Sequence, residues 1–261
     1  MEILNRHMSL DRFFSRLTGA ADRVLMLDYD GTLAPFHEKR DKAFPYPGVE
    51  ERLTKLIDSG TTRLIIVSGR AVEALIPLLR LEILPEIRGC HGAEGHIPGK
   101  GFSKAELPRQ TTYGLRKAEK WAASENLSRY LETKPTGLAF HWRGVPNDQA
   151  ASIRERIETA WLENSIKSGL MLHEFDGGME LRAIGITKGE AVSSTLNELP
   201  NGAVMAYLGD DLTDEDAFQA LKGRGLRVLV RAEKRPTEAD LWIRPPDELL
   251  SFLDRWLEAV S

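Results

Sequence analysis

The chain has 261 residues, 42% of them apolar and 28% charged, with a net charge of −4, which is enough to bury a large core and is near the size at which single cores divide. Its Lys, Arg, Asp and Glu are interspersed, so no basic footprint for nucleic acid shows. No apolar run reaches the ~20 residues that cross a bilayer, and the opening MEILNRHMSLDRFFSRL is too charged for a signal peptide, so the expectation is a cytoplasmic protein with neither nucleic-acid nor membrane partners.

The first 20 residues read as one amphipathic helix. Residues 23–28 form an apolar run read as a buried strand, 49–60 a helical pattern closed by Gly60, and 63–68 a second strand. The single cysteine, Cys90, excludes an internal disulfide and reads as a small buried filler; a cysteine-phosphatase loop would need Arg where His96 stands. The middle of the chain then changes character: a helix at 109–125, strands at 130–134 and 137–143 across Pro-Thr-Gly, a helix at 147–166, and strands at 169–175 and 179–184 across Asp-Gly-Gly. Afterwards the earlier pattern resumes, with strands at 203–210, 226–230 and 239–243 and a helix in EDAFQALKGRG. Alternating strands and helices imply a parallel sheet, whereas hairpins are antiparallel. The expected fold is therefore α/β, a Rossmann-like parallel-sheet core in two parts, 1–105 and 185–261, with an inserted α+β cap of order α-β-β-α-β-β at 106–184.

In such a sheet functional groups gather at the carboxyl ends of the strands, and four polar clusters sit there. In LDYDGTLAPF, Asp28 and Asp30 follow an apolar run and Gly31 permits a tight turn; a calcium loop fails, since Thr32 and Leu33 replace its third acid and glycine. In IIVSGRAVEAL, Ser68 is either an ordinary N-cap or an anion ligand, with Gly69 opening into a helix. In ITKGEAVSSTL, Thr187 and Glu190 have capping-box spacing, which puts Lys188 in a first turn, where a cation opposes the helix dipole unless an anion is bound. In YLGDDLTDEDAF, Asp210 and Asp211 end a strand, and Asp214, Glu215 and Asp216 suit the start of a helix. At ~4 Å and an effective dielectric of ~20, each like-charge pair costs roughly 4 kcal/mol. A divalent cation relieves that repulsion, and an all-oxygen set favours Mg2+ over zinc. The inventory fits phosphoryl transfer.

These four motifs, D-x-D-G-T, S-G-R, T-K-G and G-D-D-x-T-D-E-D, resemble in order those of the haloacid-dehalogenase (HAD) phosphatase superfamily. More narrowly, LDYDGTLAPF, GCHGAEG, KPTGLAFHWR, MELRAIGITKGEA, YLGDDLTDEDAF and the 237–248 pattern T-x-A-x-x-x-I-R-x-P-x-E are similar to the trehalose-6-phosphate phosphatases. The resemblance implies a Mg2+-dependent phosphatase in which Asp28 is the nucleophile and forms an aspartyl-phosphate, while Asp30 is acid and then base. Ser68 and Lys188 hold the phosphoryl group and Thr32 orients it. Asp28, the Asp30 carbonyl and Asp210 bind the metal, with Asp211 and Asp214 in support. It further implies that Gly69, Arg70, His91 and Glu94 from the core, and His141, Arg143, Glu180 and Arg182 from the cap, grip the sugar. Leu212 stands where an Arg is common in the family. The implied substrate is a small sugar phosphate, with trehalose 6-phosphate first and sucrose 6-phosphate or a glucosylglycerol phosphate as alternatives. A non-catalytic sugar-phosphate sensor is the reading from another class. The substrate would diffuse in or come from a separate trehalose-6-phosphate synthase.

Overall fold

The computed structural model describes residues 1–175 and 177–261. In chain order its elements are β1 (Glu2–Ile3), α1 (Leu10–Gly19), β2 (Arg23–Asp28), α2 (Val49–Ser59), β3 (Arg63–Val67), α3 (Val72–Leu79), β4 (Glu86–Gly89), β5 (Glu94–Ile97) and β6 (Gly101–Lys104). Then follow α4 (Arg109–Ser124), β7 (Leu131–Lys134), β8 (Gly137–His141), α5 (Asn147–Lys167), β9 (Leu170–Phe175) and β10 (Gly178–Ala183). The chain ends with α6 (Lys188–Glu198), β11 (Val204–Gly209), α7 (Asp214–Leu221), β12 (Leu226–Val230), β13 (Leu241–Ile243) and α8 (Asp247–Val260). No helix among the described residues is long and apolar enough to cross a membrane. Contacts divide the chain into two units, residues 1–103 with 188–261, and residues 104–187.

The first unit is built on one sheet of order β1-β13-β12-β11-β2-β3-β4-β5-β6. Its centre, β13 through β4, is parallel, while β1 and β5 pair antiparallel to β13 and β4. Alternation along the strands sorts side chains to two faces. Leu25, Leu27, Leu64, Ile66, Leu208 and Val228 pack against Phe14, Leu53, Phe252 and Trp256 from α1, α2 and α8. Val24, Met26, Ile65, Tyr207 and Leu229 pack against Val192, Phe218 and Leu221 from α6 and α7. Both faces are covered, which is why these strands read as continuous apolar runs. The chain leaves β2 toward β3 on one side, and β11 returns on the other, so the strand order reverses between β2 and β11.

The N-terminal expectation needs correction. The first 20 residues are not one helix: Glu2 and Ile3 extend the sheet through Trp242 and Leu241, and the helix begins at Leu10, capped by Ser9 Oγ on the Arg12 amide. A turn between the two elements satisfies local hydrogen bonds that one continuous helix would have claimed, the Met8 amide bonding back to the Asn5 carbonyl.

The second unit has the order α4-β7-β8-α5-β9-β10, with its sheet ordered β7-β8-β10-β9 and every pair antiparallel. One face, with Leu138, Phe140, Met179 and Leu181, packs on Ala118 and Ala122 of α4 and Ile157 and Trp161 of α5. The turn expected at Asp176-Gly177-Gly178 includes Asp176, which lies outside the described residues.

Candidate active site

β2 and β11 lie side by side in parallel register, Leu27 opposite Leu208, and deliver Asp28 and Asp210 to the carboxyl edge at the point of reversal. Asp28 pairs in register with Val67 of β3, so Ser68 follows at the same edge. Two glycines make room for the carboxylates. A Cβ on Gly31, whose φ is +85°, would lie 2.1 Å from Asp210 Oδ2, and one on Gly209 would lie 2.5 Å from Asp214 Oδ1. A side chain at either position would push an acid out of the pocket.

Asp28, Asp210 and Asp214 are buried, with oxygens within 4.8 Å of one another. Lys188 Nζ donates to Asp28 Oδ1 at 2.6 Å and to Asp214 Oδ1 at 2.7 Å. This answers the sequence-level puzzle of a lysine in a first turn: two buried carboxylates outweigh the unfavourable helix dipole. Asp214 is saturated by protein donors. Its Oδ1 also accepts from the Tyr207 hydroxyl at 2.6 Å, and its Oδ2 accepts from the amides of Asp210 and Asp211 at 3.1 and 2.9 Å. So Asp214, although in the first turn of α7, is a buried organiser of the Asp210–Asp211 turn and not a solvated helix-start charge. Thr32 Oγ1 donates to Asp28 Oδ2 at 3.1 Å.

The charge balance is unfavourable as it stands. Burial raises Asp28 to about 7, Lys188 opposing and Asp214 adding to the rise. Burial also raises Asp210 well above the usual carboxylate range, helped by Asp28 and Asp214. Burial works against the Lys188 ammonium, but Asp214 and Asp28 outweigh it and hold the proton more firmly than usual. Three carboxylates against one ammonium leave excess negative charge in a low-dielectric pocket. Asp210 Oδ1 is buried and has no hydrogen-bond partner among the described residues. An all-oxygen set with one orphaned carboxylate oxygen fits Mg2+, with Asp28 and Asp210 as the side chains that would hold it.

Asp30 and Asp211 are engaged elsewhere. Arg70 grips Asp30 through two nitrogens at 2.7 and 2.6 Å and donates to the Arg40 carbonyl at 2.7 Å. Asp211 Oδ1 accepts from the Leu212 amide at 2.7 Å, while Leu212 itself is exposed. The helix expected from Gly69 starts later, at Val72. Ser68 Oγ accepts from the Arg70 amide at 3.1 Å and shapes a turn first; a Cβ on Gly69 would sit 2.9 Å from the His91 ring. Glu94 Oε2 accepts from the Val72 amide at 3.0 Å, satisfying a free donor at the start of α3. His91 is buried, at φ 59°. Sequence reasoning missed Tyr207, whose buried hydroxyl needed a partner, and Arg235. The Arg235 guanidinium donates to the carbonyls of Asp210 at 3.2 Å and Asp211 at 2.7 Å and pairs with Glu215.

Within the second unit, register puts Glu132, Lys134, His141, His173, Glu180 and Arg182 on one sheet face, opposite the apolar one. Lys134 Nζ lies 3.0 Å from Glu180, Arg182 lies 3.7 Å from it, and His141 Nε2 lies 2.8 Å from Glu132. Glu180 and Arg182 are buried. Arg143 departs from the expectation: β8 ends at His141, and Arg143 lies in the exposed turn beyond, so the two do not share a strand face.

A family model described as trehalose-phosphatase matches residues 26–242. The chain belongs to the trehalose-phosphatase family. That family is one of phosphoric monoester hydrolases. A protein of Arabidopsis thaliana named probable trehalose-phosphate phosphatase I is 30% identical over 278 residues, covering 98% of this chain and 73% of the relative. The trehalose-6-phosphate phosphatase C-terminal domain of C. albicans is similar in structure, with TM-score 0.81 at 20% identity over 99% of each chain. A haloacid dehalogenase-like hydrolase from Bacteroides thetaiotaomicron has TM-score 0.65 at 17% identity, covering 90% of this chain and 99% of that one. Identities this low speak for the fold alone, and the fold is the haloacid-dehalogenase one.

Proposed function

We propose that this trehalose-phosphatase family member hydrolyses trehalose 6-phosphate to trehalose and phosphate, with Mg2+ at the acidic pocket and an aspartyl-phosphate formed on Asp28. The observation that carries the reading is the buried Asp28, with Lys188 Nζ at 2.6 Å and Asp210, one of whose oxygens lacks a hydrogen bond among the described residues, beside it at the point of strand reversal. The carboxylate of Asp28 forms a bond to phosphorus as the bond from phosphorus to the sugar oxygen breaks. The leaving oxygen takes a proton from the Asp30 carboxyl group. Asp30 then takes a proton from water, whose oxygen attacks phosphorus; phosphate departs and Asp28 is restored. Lys188 keeps positive charge against Asp28 throughout, and Thr32 fixes the orientation of that carboxylate. Ser68 uses a lone pair on the Arg70 amide, which leaves its hydroxyl proton for a phosphoryl oxygen. When bound, Mg2+ offsets the charge that the nucleophile and the phosphoryl group bring together.

In the same reading, Glu180, Arg182, His141 and Arg143 recognise sugar hydroxyls, with Lys134 holding Glu180 in place. The substrate diffuses in or comes from a separate trehalose-6-phosphate synthase. The setting is the cytoplasm, with which a single cysteine, too few for an internal disulfide, accords.

The test is phosphate release from trehalose 6-phosphate, sucrose 6-phosphate, a glucosylglycerol phosphate and p-nitrophenyl phosphate, with and without Mg2+. Trehalose 6-phosphate is expected to have the highest kcat/KM, and Asp28→Asn is expected to abolish release from all four. Preference for another sugar phosphate would overturn the substrate, and release that survives Asp28→Asn would overturn the mechanism. Arg143→Ala and Glu180→Gln should impair sugar-phosphate turnover and spare p-nitrophenyl phosphate; the Gln variant keeps an acceptor for Lys134.

A further inference from the structure

At the opposite end of the sheet from Asp28, the first unit has an open cavity of about 680 Å³. Its walls come from the starts of β11 and β12, the last turn of α6, the turn after α7, and α1. β11 runs from Val204 at this cavity to Gly209 beside the reaction centre, so the two sites lie roughly 17 Å apart at ~3.3 Å per residue. None of the residues assigned to the reaction lines it.

The lining of the cavity is rich in positive charge. Arg12, Arg16, Lys222, Arg224 and Arg227 line it, and Asp240 is the single acid on its walls among the described residues. That acid is already committed: Arg227 donates to it at 2.7 and 2.9 Å, and Asn5 at 2.8 Å. Lys222 pairs with Glu238 at 3.0 Å in an exposed contact. Arg12, Arg16 and Arg224 make no side-chain hydrogen bond or ion pair among the described residues. Three exposed guanidinium groups, without an ion-pair partner among the described residues, thus line one concavity in a chain whose net charge is −4. Below them lies an apolar floor that includes Met8, Phe13, Leu196 and Leu199. Its volume is within the range of small-molecule sites, roughly 300–1,000 Å³.

We propose that this cavity binds a small organic polyanion, one that carries two or more phosphate or carboxylate groups for Arg12, Arg16 and Arg224 and an apolar or planar body for the floor around Phe13. Guanidinium groups suit this role because they bind phosphate and carboxylate through two parallel hydrogen bonds. The proposal does not depend on the phosphatase reading.

Isothermal titration of the full chain in Mg2+-free, low-salt buffer with ADP, citrate and adenosine tests it. ADP, citrate or both are expected to bind with a dissociation constant below about 1 mM, and adenosine is not. Binding of ADP alone assigns phosphate as the recognised group, and binding of citrate alone assigns carboxylate. The triple variant Arg12→Gln, Arg16→Gln, Arg224→Gln is expected to weaken binding about tenfold or more, with an unchanged melt and unchanged phosphatase turnover. Asp28→Asn is expected to bind as the native chain does. Binding by neither polyanion, equal binding by adenosine, retained affinity in the triple variant, or loss of affinity in Asp28→Asn would each overturn the assignment.

Discussion

Arg70 closes on Asp30 with two nitrogens, Nε to Oδ2 at 2.7 Å and Nη2 to Oδ1 at 2.6 Å. A carboxylate held this way only accepts hydrogen bonds, so the proposed acid step requires Asp30 to leave Arg70 and carry a proton. Asp30→Asn is expected to slow turnover of trehalose 6-phosphate by roughly 10²-fold or more, the usual scale for losing a general acid. With p-nitrophenyl phosphate, whose leaving group needs no acid, the first step should survive and the second should not. Stopped-flow absorbance should then show a burst of nitrophenol equal to the enzyme present, followed by a slow phase. A normal steady rate on both substrates would remove Asp30 from both roles.

Gly31 is a second point of sensitivity. Its φ of +85° disfavours any side chain, and a Cβ would fall 2.1 Å from Asp210 Oδ2. Gly31→Ala should cost roughly 1–3 kcal/mol in backbone strain alone and displace the Asp210 carboxylate. The expected result is a lower melting temperature together with near-complete loss of phosphatase activity. Native activity in a correctly folded alanine variant would show that Asp210 is not needed where it lies.

Lys188 is the only cation in hydrogen-bond contact with Asp28 and Asp214 among the described residues. Removing one partner of a buried ion pair destabilises by roughly 3–5 kcal/mol. Lys188→Met should therefore lower the melting temperature sharply, and added Mg2+ should recover more of the loss than it adds to the native chain, since the variant pocket has gained a net negative charge. Melts with and without Mg2+ decide this. A variant that melts like the native chain would contradict the electrostatic account of the pocket.

The central strands and the acids at their ends were legible because a parallel strand covered on both faces has a continuous apolar run, and the first polar residue after it marks the edge. What escaped was long-range pairing and short strands. Asp30 and Arg70 are 40 residues apart, and nothing local in either motif announces the clamp. Strands β4 to β6 lie in a glycine-rich stretch, and β6 is exposed along its whole length, so no alternation marks it. Asp214, Glu215 and Asp216 look alike as first-turn acids; only the fold reveals that Asp214 is buried under Lys188 and Tyr207 while Asp216 is exposed. Within the second unit the alternation of His141 with Arg143 presumed a strand that ends two residues too early.

Arg235 holds the backbone of the Asp210–Asp211 turn through both carbonyls and ties it to Glu215. It does not touch the reacting atoms, so it is a positioning residue. Loss of groups that orient a metal ligand typically costs about 10–100-fold in metal affinity. Arg235→Ala should accordingly raise the Mg2+ concentration for half-maximal activity by about tenfold, with kcat at saturating Mg2+ close to native. A fall in kcat with unchanged Mg2+ dependence would point to general loosening of the fold.

His173 gives the second unit a pH signature. It lies opposite Glu180 in register, and burial, reinforced by the positive charge of Arg182 and opposed by Glu180, lowers its pKa from 6.5 to about 4. Between those values the unfolded chain binds a proton that the folded chain refuses, so stability rises with pH from about 4 to about 6.5 and this contribution is flat on either side. A fully buried group with this shift would contribute about 3 kcal/mol; partial exposure reduces the expectation to about 1 kcal/mol. His173→Asn cannot titrate there, so its stability should rise less over the same window. Urea denaturation at about pH 5 and about pH 7.5 measures the difference: the native chain should gain about 1 kcal/mol more than the variant. Equal gains in the two proteins would mean that the folded chain protonates His173 as readily as the unfolded one.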